Sequence, residues 1–422
     1  MLTIRAITEN KEDIIKRLKI KNFEAEALVE NIVAKEKERK STIVVLESKQ
    51  AEINELSKKI GQLYKEGKRE EAEKIKQDTF DIKEFIKEQT SVLANIENEI
   101  KDILVQIPNV PHSSVPSGKS ADDNEIVKES SIKVENDEAI PHWDIAKDFN
   151  IIDFELGNKI TGSGFPVYIG KGAKLQRALI SFFLDEATKN GYQEVIPPTL
   201  VNEASAFATG QLPDKEGQMY HVKEDNFYLI PTAEVPATNI FRDTILADND
   251  IPVKICAYTS CFRREAGSYG KDVRGLNRLH QFEKVEIVRI EKPENSYVAL
   301  EDMVKHVESL LIKLELPYRI LRLCGGDLSF TSALTYDFEV YSVAQQKWLE
   351  VSSVSNFEEF QANRLKLRYK DDSLKKTKIA HTLNGSALAL PRIIAALLEN
   401  NYKKSGIKIP DILVPYTGFD KI

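Results

Sequence analysis

Two spacings of apolar residues divide the chain. Up to about residue 108 they recur every three and four positions; beyond it, short alternating segments and separate helical patterns take over. Ala72, Ile75, Thr79, Ile82, Ile86, Gln89, Leu93, Ile96, Ile100 and Ile103 form a heptad seam in which Thr79 and Gln89 are polar lapses. A matching seam precedes it: Leu46, Ile53 and Ile60 are seven apart, and Leu56 and Leu63 make a second row. Between the two lies Tyr64-Lys65-Glu66-Gly67-Lys68, where the glycine can end a helix and turn the chain. The pattern predicts two helices folded back on each other as an antiparallel coiled-coil hairpin, each reaching ~50 Å at about 1.5 Å per residue. A pair that long buries no globular core; it projects.

Residues 108–120, PNVPHSSVPSGKS, read as a linker, and a polar stretch follows to about Glu138. The expected organisation is therefore a helical arm over 1–108, a linker over 109–140 and a compact mixed domain over 141–422. Helical periodicity is clear in Ala173–Ala187, Tyr297–Leu316 and Ile393–Leu398. Strand-like runs are Glu194–Ile196, Phe227–Ile230, Lys254–Phe262, Leu279–Ile290, Thr335–Tyr341 and Trp348–Val351. Helices fall irregularly among paired strands, which predicts an α+β fold on an antiparallel sheet rather than a doubly wound one. No GxGxxG follows a strand and no GxxxxGK[ST] occurs, so neither a Rossmann nor a P-loop site is expected.

Composition narrows the function classes. The 422 residues are 42% hydrophobic and 30% charged, ordinary for a folded protein. No apolar run approaches a membrane span, and MLTIRAITEN lacks the layout of a secretion signal, so a cytoplasmic protein is expected. Cys256, Cys261 and Cys324 stand in no ligand spacing, which fits a reducing compartment and argues against a Cys-rich zinc site. A net charge of −7 excludes blanket nucleic-acid affinity but not a local basic patch. One such patch lies near the turn of the arm, where Lys58, Lys59, Lys65, Lys68, Arg69, Lys74 and Lys76 outnumber Glu66, Glu70, Glu71 and Glu73. A solvated helix surface and a contact for a polyanion both account for it.

Candidate chemistry gathers on Thr259–Ile290. Two alternating segments flank a loop with Gly267, Gly270, Gly275, Lys271, Arg274 and Arg278, which predicts a hairpin. Side chains two apart share a strand face, so Arg263 and Glu265 are expected to point together, as are Phe282 and Glu286. A cation, an aromatic plate and two carboxylates there suit a nucleotide and an amine; a decorated surface hairpin is the plainer alternative. In Tyr228-Leu229-Ile230-Pro231-Thr232-Ala233-Glu234 a strand gives way to a helix start, with Thr232 a cap or a ligand. Trp348-Leu349-Glu350-Val351-Ser352-Ser353 ends a strand in a carboxylate and hydroxyls that suit a hard cation such as Mg²⁺; a plain edge strand is the alternative. In Asn384-Gly385-Ser386-Ala387-Leu388-Ala389-Leu390-Pro391-Arg392 a small-residue strand passes into an apolar helix, with Pro391 at its first position. Arg392 then lies in the first turn, where a cation calls for an anionic partner, either a bound anion or an ordinary surface salt bridge.

Together these segments resemble the motifs of class II aminoacyl-tRNA synthetases: GYQEVIPP motif 1, FRRE through HQFEKVE motif 2, and NGSALALPRIIAALLEN motif 3, with Ala387 and Pro391 where the family's pattern has glycines. PTAEV, EVSSVSNFEEFQANR and the two-helix arm are similar, specifically, to the seryl-tRNA synthetase family of bacterial type. The resemblance spans the chain in order and implies a class II catalytic domain bearing a tRNA-binding arm. Arg263, Glu265 and Arg392 would act in catalysis. Arg263, Arg264, Glu265, Phe282, Glu350, Val351, Ser352, Ser353 and Arg392 would bind ATP. Thr232, Ala233, Glu234, Arg263, Glu286 and Ser386 would bind serine, and Glu350 and Ser353 would hold Mg²⁺. Glu350 and Ser353 are three apart, so an ideal strand would turn them to opposite faces, and a strand end or bulge is expected there. The implied reaction attaches L-serine to tRNA(Ser), with its long variable arm, through seryl-adenylate, in a homodimer; serine transfer to selenocysteine tRNA is a further implied substrate. The competing classes are a paralogue that loads a carrier protein, which would not need the arm, and a coiled-coil adaptor with a degenerate synthetase-like domain. Threonyl specificity would call for a zinc site that the cysteine spacing does not supply.

Overall fold

The computed structural model describes residues 1–265 and 274–422. Gly267, Gly270 and Lys271 of the basic loop lie outside the described residues. Two compact units emerge: Met1–Lys19 with Phe23–Pro108, and Ile20–Asn22 with Asn109–Ile422.

The first unit is helical. Short helices α1 (Ile4–Glu9) and α2 (Lys11–Leu18) precede α3 (Glu26–Lys65) and α4 (Arg69–Leu104). The Thr3 hydroxyl caps α1 by accepting the Ala6 N–H. Helices α3 and α4 run 40 and 36 residues, which at ~1.5 Å per residue is about 60 and 54 Å. Gly67 makes the turn between them at φ +78°, a left-handed conformation that costs glycine little. The heptad seam faces inward: Ala72, Thr79, Ile96 and Ile100 of α4 are buried, with Ile53 and Leu63 of α3 opposite. Thr79 is tolerated in the seam because its hydroxyl donates to the Ile75 carbonyl at 2.8 Å, inside its own helix.

The second unit is built on an eight-stranded sheet. Its strands are β1 (Glu125–Glu129), β2 (Gln193–Glu194), β3 (Val253–Phe262), β4 (Gln281–Glu291), β5 (Tyr318–Arg322), β6 (Leu334–Ser342), β7 (Lys347–Asn356) and β8 (His381–Ala389). Their order is β1-β5-β6-β7-β8-β4-β3-β2, antiparallel throughout except for the parallel pair β2–β3. Within residues 109–140, expected to be linker, Glu125–Glu129 thus supplies an edge strand. All five of its residues are exposed, so it has no buried face to impose an alternating pattern.

The central strands alternate cleanly. Val285 and Ile287 of β4, Phe338 and Val340 of β6, Val354 of β7, and Leu383 and Ala387 of β8 join one apolar core. Helices α6 (Gly170–Lys189), α8 (Ser296–Lys313) and α10 (Leu390–Asn401) bury Leu179, Phe182, Phe183, Met303, Val307, Ile393 and Leu397 in the same core. Three smaller helices matter below: α5 (His142–Asp148), α7 (Glu234–Asn239) and α9 (Glu359–Leu365). With one sheet face committed to the helices, the intervening side chains Lys284, Glu286, Thr335, Asp337, Ser353, Ser355, Asn384 and Ser386 are left to line a cavity on the other.

Candidate active site

The cavity is about 680 Å³ and is lined chiefly by polar side chains from β4, β6, β7 and β8. It gathers Thr232, Glu234, Arg263, Glu265, Phe282, Glu286, Glu350, Val351, Ser352, Ser353, Ser386 and Arg392, which are scattered over some 160 positions of sequence. Arg264 and Ala233 are the two expected site residues that do not line it. Arg264 is exposed and bonds through its backbone N–H to the Gln218 carbonyl, while Ala233 is fully buried at the N-cap of α7.

One end is a buried ionic pocket. Glu286 lies directly across from Ser386 in the β4–β8 register, so both point into it. The Thr232 hydroxyl donates to Glu286 Oε2 at 2.7 Å and accepts the Glu234 N–H at 3.2 Å, so it serves pocket and helix start together. Lys284, two residues before Glu286 on the same face, pairs with that carboxylate and donates to Thr232 Oγ1 at 2.9 Å. Glu234 accepts from Gln361 Nε2 of α9 at 2.6 Å. Burial, and then repulsion from Glu286, push its carboxyl up to about 7, against the opposing pull of Gln361. The pocket thus holds two carboxylates but a single lysine, which leaves room for one more cation. Lys284, Gln361 and Asn384 were not expected from sequence; only the period-two spacing Phe282, Lys284, Glu286 could have pointed to the lysine.

Arg263, Glu265 and Phe282 form another stretch of the cavity wall. Strand β3 stops at Phe262, where the alternating run ends, so the shared strand face expected of Arg263 and Glu265 does not apply: Glu265 takes a left-handed backbone at φ +49°. Both side chains still reach the cavity, with Glu265 accepting from Arg278 Nη1 at 2.8 Å. The Arg263 guanidinium lies 5.3 Å from the Phe282 ring centroid, and its Nε donates to the Pro231 carbonyl at 3.4 Å.

The far end carries Glu350, Ser353 and Asp337. The expected bulge is present: Ser352 pairs with Phe338 and Glu350 with Glu339, so Val351 is the extra residue of β7. That insertion returns Glu350 and Ser353 to one cavity although they are three apart. The Ser353 hydroxyl donates to Asp337, its cross-strand partner. Burial, and then the Glu350 charge, raise the Asp337 carboxyl well above the usual range. Arg392 Nε donates to the Asn277 carbonyl at 3.0 Å and its Nη1 to the Glu350 carbonyl at 2.6 Å. Pro391 is the second residue of α10, one later than expected, and still occupies a turn that needs no N–H donor.

An open antiparallel sheet with an arginine at a strand end, a second arginine entering from a helix start and carboxylates between them defines the class II aminoacyl-tRNA synthetase core. The family model described as the tRNA synthetase class II core domain (G, H, P, S and T) matches residues 220–401, and that of the seryl-tRNA synthetase N-terminal domain matches residues 1–111. A serine--tRNA ligase of Salinibacter ruber is 49% identical over 100% of this chain and 99% of its own. One from Chlorobaculum parvum is 45% identical with full coverage of both. Among solved structures, the seryl-tRNA synthetase of Pyrococcus horikoshii complexed with ATP superposes with a TM-score of 0.93 at 31% identity, covering 100% of this chain and 99% of that one. The cytoplasmic enzyme of Naegleria fowleri in complex with AMP gives 0.88 at 25% identity, over 100% and 98%.

The chain belongs to the seryl-tRNA synthetase family. Its activity is the ATP-dependent attachment of serine to tRNA.

Proposed function

We propose that the cavity makes seryl-adenylate by binding serine in the Thr232–Glu234–Glu286 pocket and ATP against Phe282 and the two arginines. The observation that carries this reading is the buried pocket with two carboxylates and one lysine, which an incoming ammonium completes. Thr232, Ala233, Glu234, Glu286 and Ser386 surround the amino acid, with Ala233 shaping the backbone that carries Glu234. A site with unshared polar groups for a hydroxyl rejects alanine, because those groups would be left unpaired.

ATP binding in the cavity falls to Arg263, Glu265, Phe282, Glu350, Val351, Ser352, Ser353 and Arg392, with the exposed Arg264 outside the lining reaching the nucleotide only by a side-chain swing. The adenine stacks on Phe282, beside the Arg263 guanidinium that lies 5.3 Å from the ring centroid. Arg263 then bridges the α-phosphate and the serine carboxylate, its planar fork suiting both. Arg392 leaves the Glu350 carbonyl to face the base and the γ-phosphate. The serine carboxylate oxygen attacks the α-phosphorus in line, the bond to the bridging oxygen breaks, and pyrophosphate departs with its electrons. No protein nucleophile is needed; positioning and charge stabilisation by Arg263, Glu265 and Arg392 supply the catalysis. A 3′-hydroxyl of tRNA then attacks the carbonyl of the adenylate, releasing AMP.

Mg²⁺ fits beside Glu350 and Ser353: Asp337 and Glu350 crowd like charge there, and a divalent cation relieves it. Among the described residues no group of three or more His, Cys, Asp or Glu could hold a metal, so the shell requires phosphate oxygens. Bound there, Mg²⁺ would neutralise charge on the phosphates. The α3–α4 arm is the surface for the long variable arm of tRNA(Ser), read by shape and backbone charge, and selenocysteine tRNA is a second acceptor of the same kind. The basic loop 266–278 meets the acceptor end. The homodimer forms at motif 1, where β2 ends the sheet and Ile196 is 89% exposed. Among the described residues no helix is long and apolar enough to cross a membrane.

ATP–pyrophosphate exchange tests the reading. Serine, and no other standard amino acid, should support exchange; exchange with threonine alone would sink the assignment.

A further inference from the structure

Outside the cavity wall lies a cluster that the chemistry above does not use. His142 of α5 and Glu399 of α10, 257 residues apart in sequence, are both fully buried. Glu399 Oε1 accepts from the His142 backbone N–H at 3.0 Å, from His142 Nδ1 at 2.7 Å and from Gln345 Nε2 at 2.9 Å. Its Oε2 accepts from the Ser342 hydroxyl. A buried carboxylate this completely satisfied is rigid, and removing any one donor leaves charge unpaired.

The far side of the cluster reaches the site. The Leu276 backbone N–H, which can only donate, points at His142 Nε2 from 2.8 Å. Nε2 is therefore a bare acceptor and the ring proton sits on Nδ1, facing Glu399. Asn277 Nδ2 donates to Gln345 Oε1 at 2.9 Å, so the next residue is tied to the same carboxylate by a second route. Gly275, at φ +63°, lies so close that a Cβ there would stand 2.1 Å from His142 Nε2. Three consecutive residues of the returning loop are thus seated on one buried pair. The middle one and its successor line the cavity, and the Asn277 carbonyl accepts from Arg392 Nε. Arg392 and Glu399 are seven residues apart on α10, two turns along the same face. One helix therefore carries both the arginine and the anchor of the loop that receives it.

We propose that the His142–Glu399 pair is a positioning device that sets the Asn277 carbonyl, and through it Arg392, over the nucleotide. The pair touches no substrate. The inference rests on the assignment of Arg392 to ATP. Leu276 and Asn277 are held by side chains on three separate elements, α5, α10 and the β6–β7 turn, so the loop end keeps its place whatever fills the rest of the cavity.

The test is ATP–pyrophosphate exchange on the full chain with His142→Asn, Gln345→Ala and Arg392→Ala, alongside thermal melts. Asparagine can still donate to Glu399 but offers Leu276 no acceptor, and Gln345→Ala cuts the second tie at a half-buried position where folding should survive. Each is expected to raise KM for ATP about tenfold, the size of one lost charge-assisted contact, while KM for serine moves less than twofold. Arg392→Ala should raise KM for ATP at least as far. If Arg392→Ala weakens ATP but Gln345→Ala and any folded His142→Asn protein do not, the positioning role is wrong and the ATP assignment stands. If Arg392→Ala leaves KM for ATP unchanged, the assignment fails and the inference with it. Equal losses toward serine and ATP would also overturn it, since general loosening does that.

Discussion

Glu234 carries opposing demands in one side chain. Its carboxyl, held at about 7 by burial and by Glu286, is half protonated near neutrality, yet it must be ionised to pair with an ammonium. The rate constant kcat/KM for serine should fall about tenfold per pH unit below 7, and Glu234→Gln should flatten that limb while weakening serine binding. Stability runs the other way. The folded value lies above the unfolded one, so between pH 4.5 and about 7 the native state binds the extra proton; the associated stability is present at the acid end and lost as pH rises. At pH 8 the ionised, buried carboxylate costs roughly 3 kcal/mol, taking ~1.36 kcal/mol per pKa unit over the shift. Glu234→Gln should therefore melt higher than the parent at pH 8 and no higher at pH 4; an unchanged or lower melt at pH 8 contradicts the assignment of the strained proton to this residue. Glu234 itself stood out in sequence beside Thr232, but its perturbation did not, because Lys284 and Glu286 come from one distant strand and Gln361 from a distant helix.

At the scale of elements, what was legible had a period. The heptad seams gave α3 and α4, and alternation gave β3, β4, β6 and β7, because each has one face in a core. The bulge at Val351 was also legible, from the conflict between a spacing of three and the need for a shared face. Strand β1 was not, since none of its residues is buried, and neither was the His142–Glu399 contact, whose partners share no local pattern. The left-handed Glu265 was missed because it lies beyond the end of β3, where alternation carries no information about the backbone. Two element-level outcomes follow. Trimming residues 45–90 to a short turn should leave exchange intact and abolish tRNA charging; unchanged charging would remove the arm from the mechanism. Replacing Ile100, 2% exposed in the α3–α4 seam, with alanine should cost about 2–5 kcal/mol of arm stability by denaturant melts, with exchange unaffected.

For the whole molecule, the sheet's exposed end at β2 and Ile196 leads to an assembled protein: sedimentation at micromolar concentration should give a dimer, and Ile196→Asp should shift it toward monomer. Monomers alone in the parent would contradict that. Strand order has a different consequence, one of time. The ribosome delivers β3 and β4, then β5, β6 and β7, and β8 last, yet β8 is the strand that lies between β7 and β4. Until residue 389 has emerged, the nascent chain holds two separate meanders that share no hydrogen bond across the future floor of the cavity. Helix hairpin α3–α4, by contrast, closes through local contacts as soon as it appears. The arm is thus finished while the catalytic sheet is still two halves, and a chain released near residue 375 should resist protease across the arm and be cut freely between β4 and β7.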